Sequence, residues 1–72
     1  MVKPGKYEHF KGKQYEVLFT AKNSETLEDF VVYRALYGNN EIWIRPLKMF
    51  QEQVEHNGKL IPRFKYMDEN GG

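Results

Sequence analysis

A chain of 72 residues forms one domain at most, and its formal net charge of +1 shows no excess that would favour nucleic acid or an acidic surface. The chain has no cysteine, which excludes disulfides and thiolate metal sites, and its two histidines argue against a zinc site. No apolar run approaches the roughly 20 residues of a membrane span, and the first segment lacks a signal-peptide apolar region. We therefore expect a protein of the reducing cytoplasm that binds no cofactor.

Aromatic side chains are the main material for a core. A chain of this length buries only about 60% of its unfolded surface, so its core has to be dense in large side chains. Five phenylalanines, five tyrosines and one tryptophan meet that need.

The first part of the chain predicts two strands and a loop. The segments KYEHF (6–10) and QYEVLFTA (14–21) are rich in aromatic and branched residues, and a Lys-Gly-Lys turn signal separates them. In NSETLED (23–29), Asn23 and Ser24 can cap a turn through their side-chain oxygens. One short helical turn and a solvated loop both stay open for this segment.

Two further strands precede a proline. FVVYRALY (30–37) and EIWIR (41–45) are joined through Gly38-Asn39-Asn40, which can supply positive φ angles for a tight connection. Pro46 has no N–H to donate, so the strand ends there. PLKMF (46–50) is long enough for one 3₁₀ turn that begins at the proline.

The last part of the chain predicts a β-hairpin around Asn57-Gly58. This dipeptide is the preferred one for a two-residue type I′ turn. The turn sets Val54 opposite Ile61, and Glu52 opposite Arg63 as a cross-strand ion pair. Both faces of the second strand have apolar residues, so the face that lies inside stays open.

These elements together predict a mostly β fold in a single domain. A strand that breaks at a proline, makes one turn and resumes is typical of small SH3-like barrels, which turn a corner between two sheets in this way. We predict a small antiparallel SH3-like barrel of five or six strands with one or two short helical turns. Residues of about 5–66 form its ordered core and the ends are frayed. A two-layer open β-sheet with one helical turn is the alternative.

Alternation within EIWIR assigns its side chains to two faces. Ile42 and Ile44 point to one face and Trp43 and Arg45 to the other. The isoleucines are the natural core pair, so we predict that they are buried.

The loop length sets which residues of the preceding strand join each face. A three-residue loop at Gly38-Asn39-Asn40 pairs Leu36 with Ile42, Ala35 with Trp43 and Tyr33 with Arg45. A loop of two or four residues brings Arg34 instead of Tyr33 to the Trp43 face. The first register collects the aliphatic side chains inside, which are Val32, Leu36, Ile42 and Ile44.

The face opposite the isoleucines is a candidate binding surface, formed by Tyr33, Tyr37, Trp43 and Arg45. Tryptophan and tyrosine offer flat apolar area at low entropic cost, and arginine offers a planar fork for a carboxylate or phosphate. In the alternative, Trp43 packs beneath the N-terminal strand or the 23–29 loop, and Arg45 stacks on Tyr33.

Catalytic signatures are absent from the sequence. No phosphate loop, G-x-S-x-G elbow, H-E-x-x-H helix or cysteine nucleophile occurs. A surface histidine at His9 and a capping serine at Ser24 are far commoner than a triad built from them. We therefore expect no enzyme.

The leading hypothesis is a binding module that recognises a protein segment or a small acidic ligand through the candidate surface. The alternative is a nucleic-acid binder in which aromatic rings stack bases and cations meet phosphates. Those cations would be Lys6, Lys11, Lys13 and Arg45. The net charge of +1 counts against it.

Five segments in order, YEHFKGKQYEVL, SETLE, VVYRALYG, WIRPLKMF and PRF, cover nearly the whole chain. From Gly5 to about Phe64 the chain resembles a bacterial family, the domain of unknown function numbered 1653. The resemblance implies a small free-standing bacterial cytoplasmic protein and assigns no catalytic residue.

Overall fold

The computed structural model describes residues 2–67 of the chain. Seven strands and one helical turn follow in this order: β1 (Gly5–His9), β2 (Gln14–Lys22), β3 (Asp29–Ala35), β4 (Ile42–Pro46), α1 (Leu47–Phe50), β5 (Gln53–His56), β6 (Lys59–Pro62) and β7 (Phe64–Tyr66). The prediction of a mostly β chain is therefore confirmed. Within residues 2–67, no helix is long and apolar enough to cross a membrane.

Five of the strands form one antiparallel sheet in the order β4-β3-β2-β1-β7, and β5 and β6 form a separate hairpin. The two outer strands, β4 and β7, do not pair with one another, so the predicted barrel is not closed. Beyond β4 the chain turns through α1, whose last residue, Phe50, packs over one face of the sheet.

The predicted frayed ends fall partly on Met1 and residues 68–72, which lie outside the described residues. Near the N-terminus, Val2 packs against the core. The hydroxyl of Tyr7 donates a 2.8 Å hydrogen bond to the carbonyl oxygen of Lys3. These two contacts hold the start of the chain against β1.

The predicted hairpin at Asn57-Gly58 is confirmed. Both residues have positive φ angles, 54° and 80°, and His56 pairs with Lys59 across the turn. The register places Val54 opposite Ile61, as predicted. Arg63 Nη2 lies 3.0 Å from Glu52 Oε1, which is the predicted ion pair.

The segment between β2 and β3 is a turn. Asn23 Oδ1 accepts hydrogen bonds from the backbone N–H groups of Glu25 and Thr26, at 2.9 and 3.2 Å. Leu27 has a φ of 64°, which a helix does not allow. The capping role predicted for Asn23 is therefore found at the start of a turn rather than a helix.

Pro46 is the last residue of β4, as predicted, and α1 follows it directly. The backbone N–H of Gln51 donates to the carbonyl oxygen of Leu47 at 3.0 Å. This four-residue spacing makes the turn α-helical rather than 3₁₀.

Aromatic residues dominate the buried core. Phe50 and Phe64 are stacked with a centroid distance of 4.1 Å and an interplanar angle of 2°. Tyr33 and Tyr7 meet Phe50 edge-on at 5.6 and 5.4 Å. Two valines, one from β2 and one from β3, complete the buried cluster, which consists of Tyr7, Val17, Val31, Tyr33, Phe50 and Phe64.

The prediction that Ile42 and Ile44 are buried is wrong. Their side chains are 56% and 64% exposed, whereas Tyr33 on the opposite face of the same strand pair is 4% exposed. The physical reason is the path of the chain: α1 and β7 bring Phe50 and Phe64 over the Tyr33 face. No described element covers the isoleucine face in the same way.

The pairing of β3 with β4 differs from the predicted register by two residues. Ile42 pairs with Arg34 instead of Leu36, and Trp43 pairs with Tyr33 instead of Ala35. Six residues, 36–41, connect the strands. Asn40 in this connection has a φ of 54° and donates from Nδ2 to the carbonyl oxygen of Ala35 at 3.0 Å. A two-residue shift keeps every residue on its face, so the grouping of Tyr33 with Trp43 and Arg45 stands.

Leu36 lies in this loop and is 37% exposed, so its predicted place inside is wrong as well. Val32 pairs with Ile44, so these two members of the predicted aliphatic group are neighbours, but the pair lies on the open face. A bulge in β2 adds to that face, because the register shifts between Val17 and Phe19 and turns Phe19 outward to 56% exposure.

Candidate functional site

Tyr33, Trp43 and Arg45 lie on one face of the sheet, which we call the aromatic face. Tyr33 and Trp43 are direct cross-strand partners, and Arg45 follows two residues later on the same side of β4. The structure therefore brings together three of the four residues predicted for the site. Its fourth member, Tyr37, lies in the loop that follows β3.

The four residues differ in how far solvent reaches them. Tyr33 is buried at 4% exposure, Tyr37 and Trp43 are 39% and 48% exposed, and Arg45 is half-buried. Trp43 is thus not packed beneath the N-terminal strand or the 23–29 loop. Phe50 and Phe64 pack against Tyr33, so the accessible rings of this group are those of Trp43 and Tyr37.

Arg45 is held by aromatic groups. Its Nε donates a 3.3 Å hydrogen bond to the hydroxyl oxygen of Tyr33, and its guanidinium carbon lies 5.7 Å from the ring centroid of Phe64. Arg45 takes part in none of the ion pairs found among residues 2–67, which are Lys22–Asp29, Arg34–Glu16 and Arg63–Glu52. Within the described chain, the Arg45 guanidinium consequently has no carboxylate within 4.0 Å.

Tyr37 reaches the surface through Tyr15, which belongs to β2. The two hydroxyl oxygens are 2.7 Å apart, and the Tyr15 ring meets Tyr33 edge-on at a centroid distance of 5.4 Å. Burial, and then the hydrogen bond with Tyr37, raises the pKa of Tyr15 to about 12. Lys13 Nζ lies 4.5 Å from the centroid of the Tyr37 ring. Tyr15 therefore connects the buried Tyr33 to the exposed Tyr37.

His9, like Tyr15, lies near the site although the sequence did not predict it there. Its ring lies 5.0 Å from Phe64 and 6.4 Å from Tyr15, and it is half-buried rather than a plain surface histidine. Burial lowers the pKa of His9, and the charges of Arg63, Arg45 and Lys11 lower it further. His9 thus lies close to three cations at one end of the aromatic face, one of which is Arg45.

A signal for His9 and Tyr15 was present in the sequence. Strand alternation puts His9 on the same side of β1 as Tyr7, and β-pairing puts Tyr15 opposite Tyr7. The link from these strands to Trp43 runs through β3, and sequence patterns do not reveal the order of strands in a sheet.

The aromatic face presents aromatic rings, tyrosine hydroxyl groups and the guanidinium group of Arg45. Within residues 2–67, no group of three or more His, Cys, Asp or Glu side chains is placed so that it could hold a metal ion. Ser24 and His9 lie near opposite ends of β2, whose nine residues span about 30 Å, and thus do not form a triad. A groove of about 440 Å³ between β1 and β6 shares only His9 with the surface.

Comparisons with known proteins agree with this fold. Residues 5–66 match the profile of the family described as "Protein of unknown function (DUF1653)". A crystal structure of a protein belonging to DUF1653 from Bordetella bronchiseptica is similar at 37% sequence identity and a TM-score of 0.84, over 92% of this chain and 87% of that chain. No curated protein matches. The family match spans most of the sequence, and the chain belongs to the DUF1653 family.

Proposed function

We propose that this protein is a noncatalytic binding module that recognises a carboxylate-bearing ligand, either a protein segment or a small acid, on its aromatic face. Arg45 is the anion-binding group, Trp43 is the apolar contact beside it, and Tyr33 positions the arginine. Tyr15 and Tyr37 extend the surface on the other side of Tyr33.

The single observation that supports this proposal most is the state of Arg45. A half-buried cation is costly unless a partner compensates for its lost hydration. One neutral hydroxyl and one aromatic ring are its partners among residues 2–67, and both leave the guanidinium Nη groups for a further acceptor. A carboxylate is the acceptor whose two oxygens match that planar fork.

Trp43 supplies the second requirement of a binding surface. Trp43 is 48% exposed beside Arg45, whose position is already fixed by its contacts with Tyr33 and Phe64. Binding of a ligand over the Trp43 ring therefore costs little entropy for ordering the site. Tryptophan, tyrosine and arginine are also the side chains that contribute most to binding energy at protein interfaces. The surface therefore combines a charge anchor and an apolar anchor.

The nucleic-acid alternative receives less support. Lys6 pairs with Glu16, and Glu16 pairs with Arg34, on the sheet face opposite to Trp43. One of the four cations that this alternative needs thus lies on the wrong side of the sheet. Lys13 is beside Tyr37, but electrostatics supplies most nonspecific affinity for nucleic acid and the net charge is only +1.

The test uses the fluorescence of Trp43, the only tryptophan in the chain. The protein is titrated with a blocked peptide that has one glutamate, and separately with the same peptide carrying glutamine. We expect the emission of Trp43 to change only with the glutamate peptide. Arg45→Gln removes the charge-assisted hydrogen bonds, so binding should weaken about tenfold or more.

Arg34→Gln is the matched control, because Arg34 is an arginine of the neighbouring strand that points to the opposite face. That variant should bind the glutamate peptide as wild type does. Equal binding of the two peptides, or equal weakening by the two substitutions, would contradict the proposal. A response to single-stranded oligonucleotide alone, lost as salt is raised, would support the alternative.

A further inference from the structure

The edge strand β4 is open and apolar. Of the described strands, β4 pairs only with β3, and its residues Ile42, Trp43 and Ile44 are 56%, 48% and 64% exposed. Soluble proteins usually protect such an edge with lysines, prolines, bulges or short length. The other edge strand, β7, follows that rule with three residues, of which one is Lys65. The contrast indicates that β4 is built to be covered.

The backbone groups at the free edge of β4 can be assigned. The N–H of Ala35 donates to the carbonyl oxygen of Glu41 at 2.9 Å, so Glu41 faces β3. In an antiparallel pair the hydrogen-bonded positions alternate, so Trp43 and Arg45 also face β3. Ile42 and Ile44 therefore direct their N–H and C=O groups to the free edge.

The sequence of this segment is complementary to itself when it is read in the opposite direction. Glu41-Ile42-Trp43-Ile44-Arg45 has an acid at one end, a base at the other, and two isoleucines around a central tryptophan. Two antiparallel copies centred on Trp43 place Ile42 opposite Ile44, and Glu41 opposite Arg45. Each contact occurs twice, as the two-fold symmetry of a dimer requires.

We propose that β4 pairs with β4 of a second copy, so that two five-stranded sheets form one continuous antiparallel sheet. The inference rests on the proposed function in one respect: the carboxylate that Arg45 receives is that of Glu41 from the second copy. Ile42 and Ile44 exchange two N–H···O bonds across each of their two pairs. The two Trp43 side chains meet in a non-hydrogen-bonded pair, where cross-strand side chains are closest.

Outward-facing N–H and C=O groups recur at every second residue of β4, so the two copies could also pair in either of two neighbouring registers. Both of these registers are less favourable than the one centred on Trp43. A shift toward the start of β4 places Ile42 opposite itself and Arg45 opposite Asn39, which leaves the arginine without a carboxylate. A shift toward the end places Ile42 opposite Pro46, which has no N–H to donate. The register centred on Trp43 alone satisfies the charges and the backbone together.

The charge pair is also specific to two copies. Within one chain, Glu41 and Arg45 are four residues apart on an extended strand, which is about 13 Å. Directly opposite residues of paired strands have Cβ atoms about 4.5–5.5 Å apart. Glu41 can thus reach an arginine of the second copy and not its own.

Sedimentation velocity over about 1 μM to 1 mM of the full chain tests the proposal. Edge pairing of one short strand gives a small interface, so we expect a reversible dimer whose fraction rises with concentration. Glu41→Lys places like charges opposite each other twice and should weaken the dimer about tenfold or more. Glu55→Lys makes the same charge change on the β5–β6 hairpin and should leave dimerisation unchanged.

A charge exchange separates this inference from the proposed function. The double variant Glu41→Arg with Arg45→Glu restores opposite charges across the pair, so the dimer should return although the glutamate peptide no longer binds. A wild-type protein that stays monomeric up to about 1 mM overturns the inference and leaves peptide binding by the monomer intact. A dimer that ignores Glu41→Lys overturns it as well.

The backbone part of the proposal has its own variant. Ile44→Pro removes an N–H that points away from β3, so the ladder inside each subunit keeps its bonds. Each dimer loses two hydrogen bonds, at about 0.5–1.5 kcal/mol each, which corresponds to weakening of about tenfold. Ile44→Ala retains the N–H and should weaken the dimer less. If Ile44→Pro fails to fold, the charge variants still decide the outcome.

Discussion

The two faces of the β3–β4 pair belong to the same two strands, but the core residues pack over only one of them. On one face Val31 and Tyr33 are 0% and 4% exposed, and on the other Ile42 and Ile44 are 56% and 64% exposed. The exposed face is the more aliphatic one. The comparison shows that hydrophobicity along a strand groups side chains correctly but does not select the face that the rest of the chain covers.

Phe50→Ala should have the largest effect, because Phe50 is what makes the aromatic face the inner one. Its ring is 2% exposed and is stacked on Phe64. Truncation of a buried phenylalanine costs about 3–5 kcal/mol of unfolding free energy. Urea denaturation followed by Trp43 fluorescence measures the loss, and Phe50→Leu should lose less. A loss below about 1 kcal/mol would mean that α1 does not close the core.

Adjacent valines give a matched test of the two faces. Val31→Ala removes methyl groups from a site that is 0% exposed and should cost about 2 kcal/mol. Val32→Ala makes the same change one residue later on the open face and should cost less than about 1 kcal/mol. Both variants are compared by chemical denaturation under the same conditions. Equal losses would contradict the assignment of the faces.

Ile44→Ala should have little effect on the stability of the monomer, contrary to what the sequence predicts. A buried isoleucine would lose about 2–5 kcal/mol on this change. At 64% exposure we expect about half a kcal/mol or less. The measurement is made at the lowest usable concentration, where β4 has no partner copy. A loss above about 2 kcal/mol would show that the isoleucine face is covered in the monomer.

The last prediction is a pH dependence that is confined to alkaline pH. The folded-state pKa of Tyr15 is raised from 10.0 to about 12, chiefly by burial. The unfolded chain therefore releases this proton first, so the contribution to stability is complete below pH 10 and is lost as pH rises from about 10 to 12.

Denaturation of wild type and Tyr15→Phe across that range checks this dependence. The variant should lose stability less steeply, although burial also raises the pKa of Tyr7 and part of the slope will remain. Tyr37→Phe removes the hydrogen bond to Tyr15 and should shift the loss toward lower pH. A slope that Tyr15→Phe leaves unchanged would contradict the prediction.

Much of the candidate site followed from local pattern. Alternation in EIWIR made Trp43 and Arg45 neighbours on one side of a strand, and the two-residue error in the strand register did not separate them from Tyr33. The contributions of Tyr15 and His9 could not be predicted in the same way. They lie on β2 and β1, and their distance from Arg45 depends on strand order and on the path of β7.

The sequence by itself determined the features that act over a few residues. Asn57-Gly58 formed its two-residue turn because both residues tolerate positive φ, and Pro46 ended β4 because it cannot donate a ladder hydrogen bond. Tertiary structure alone decided which face of the sheet became the core. That choice depends on Phe50 and Phe64, which reach Tyr33 from distant parts of the chain. Burial is a property of what packs over a side chain, and a strand's own alternation contains no information about that neighbour.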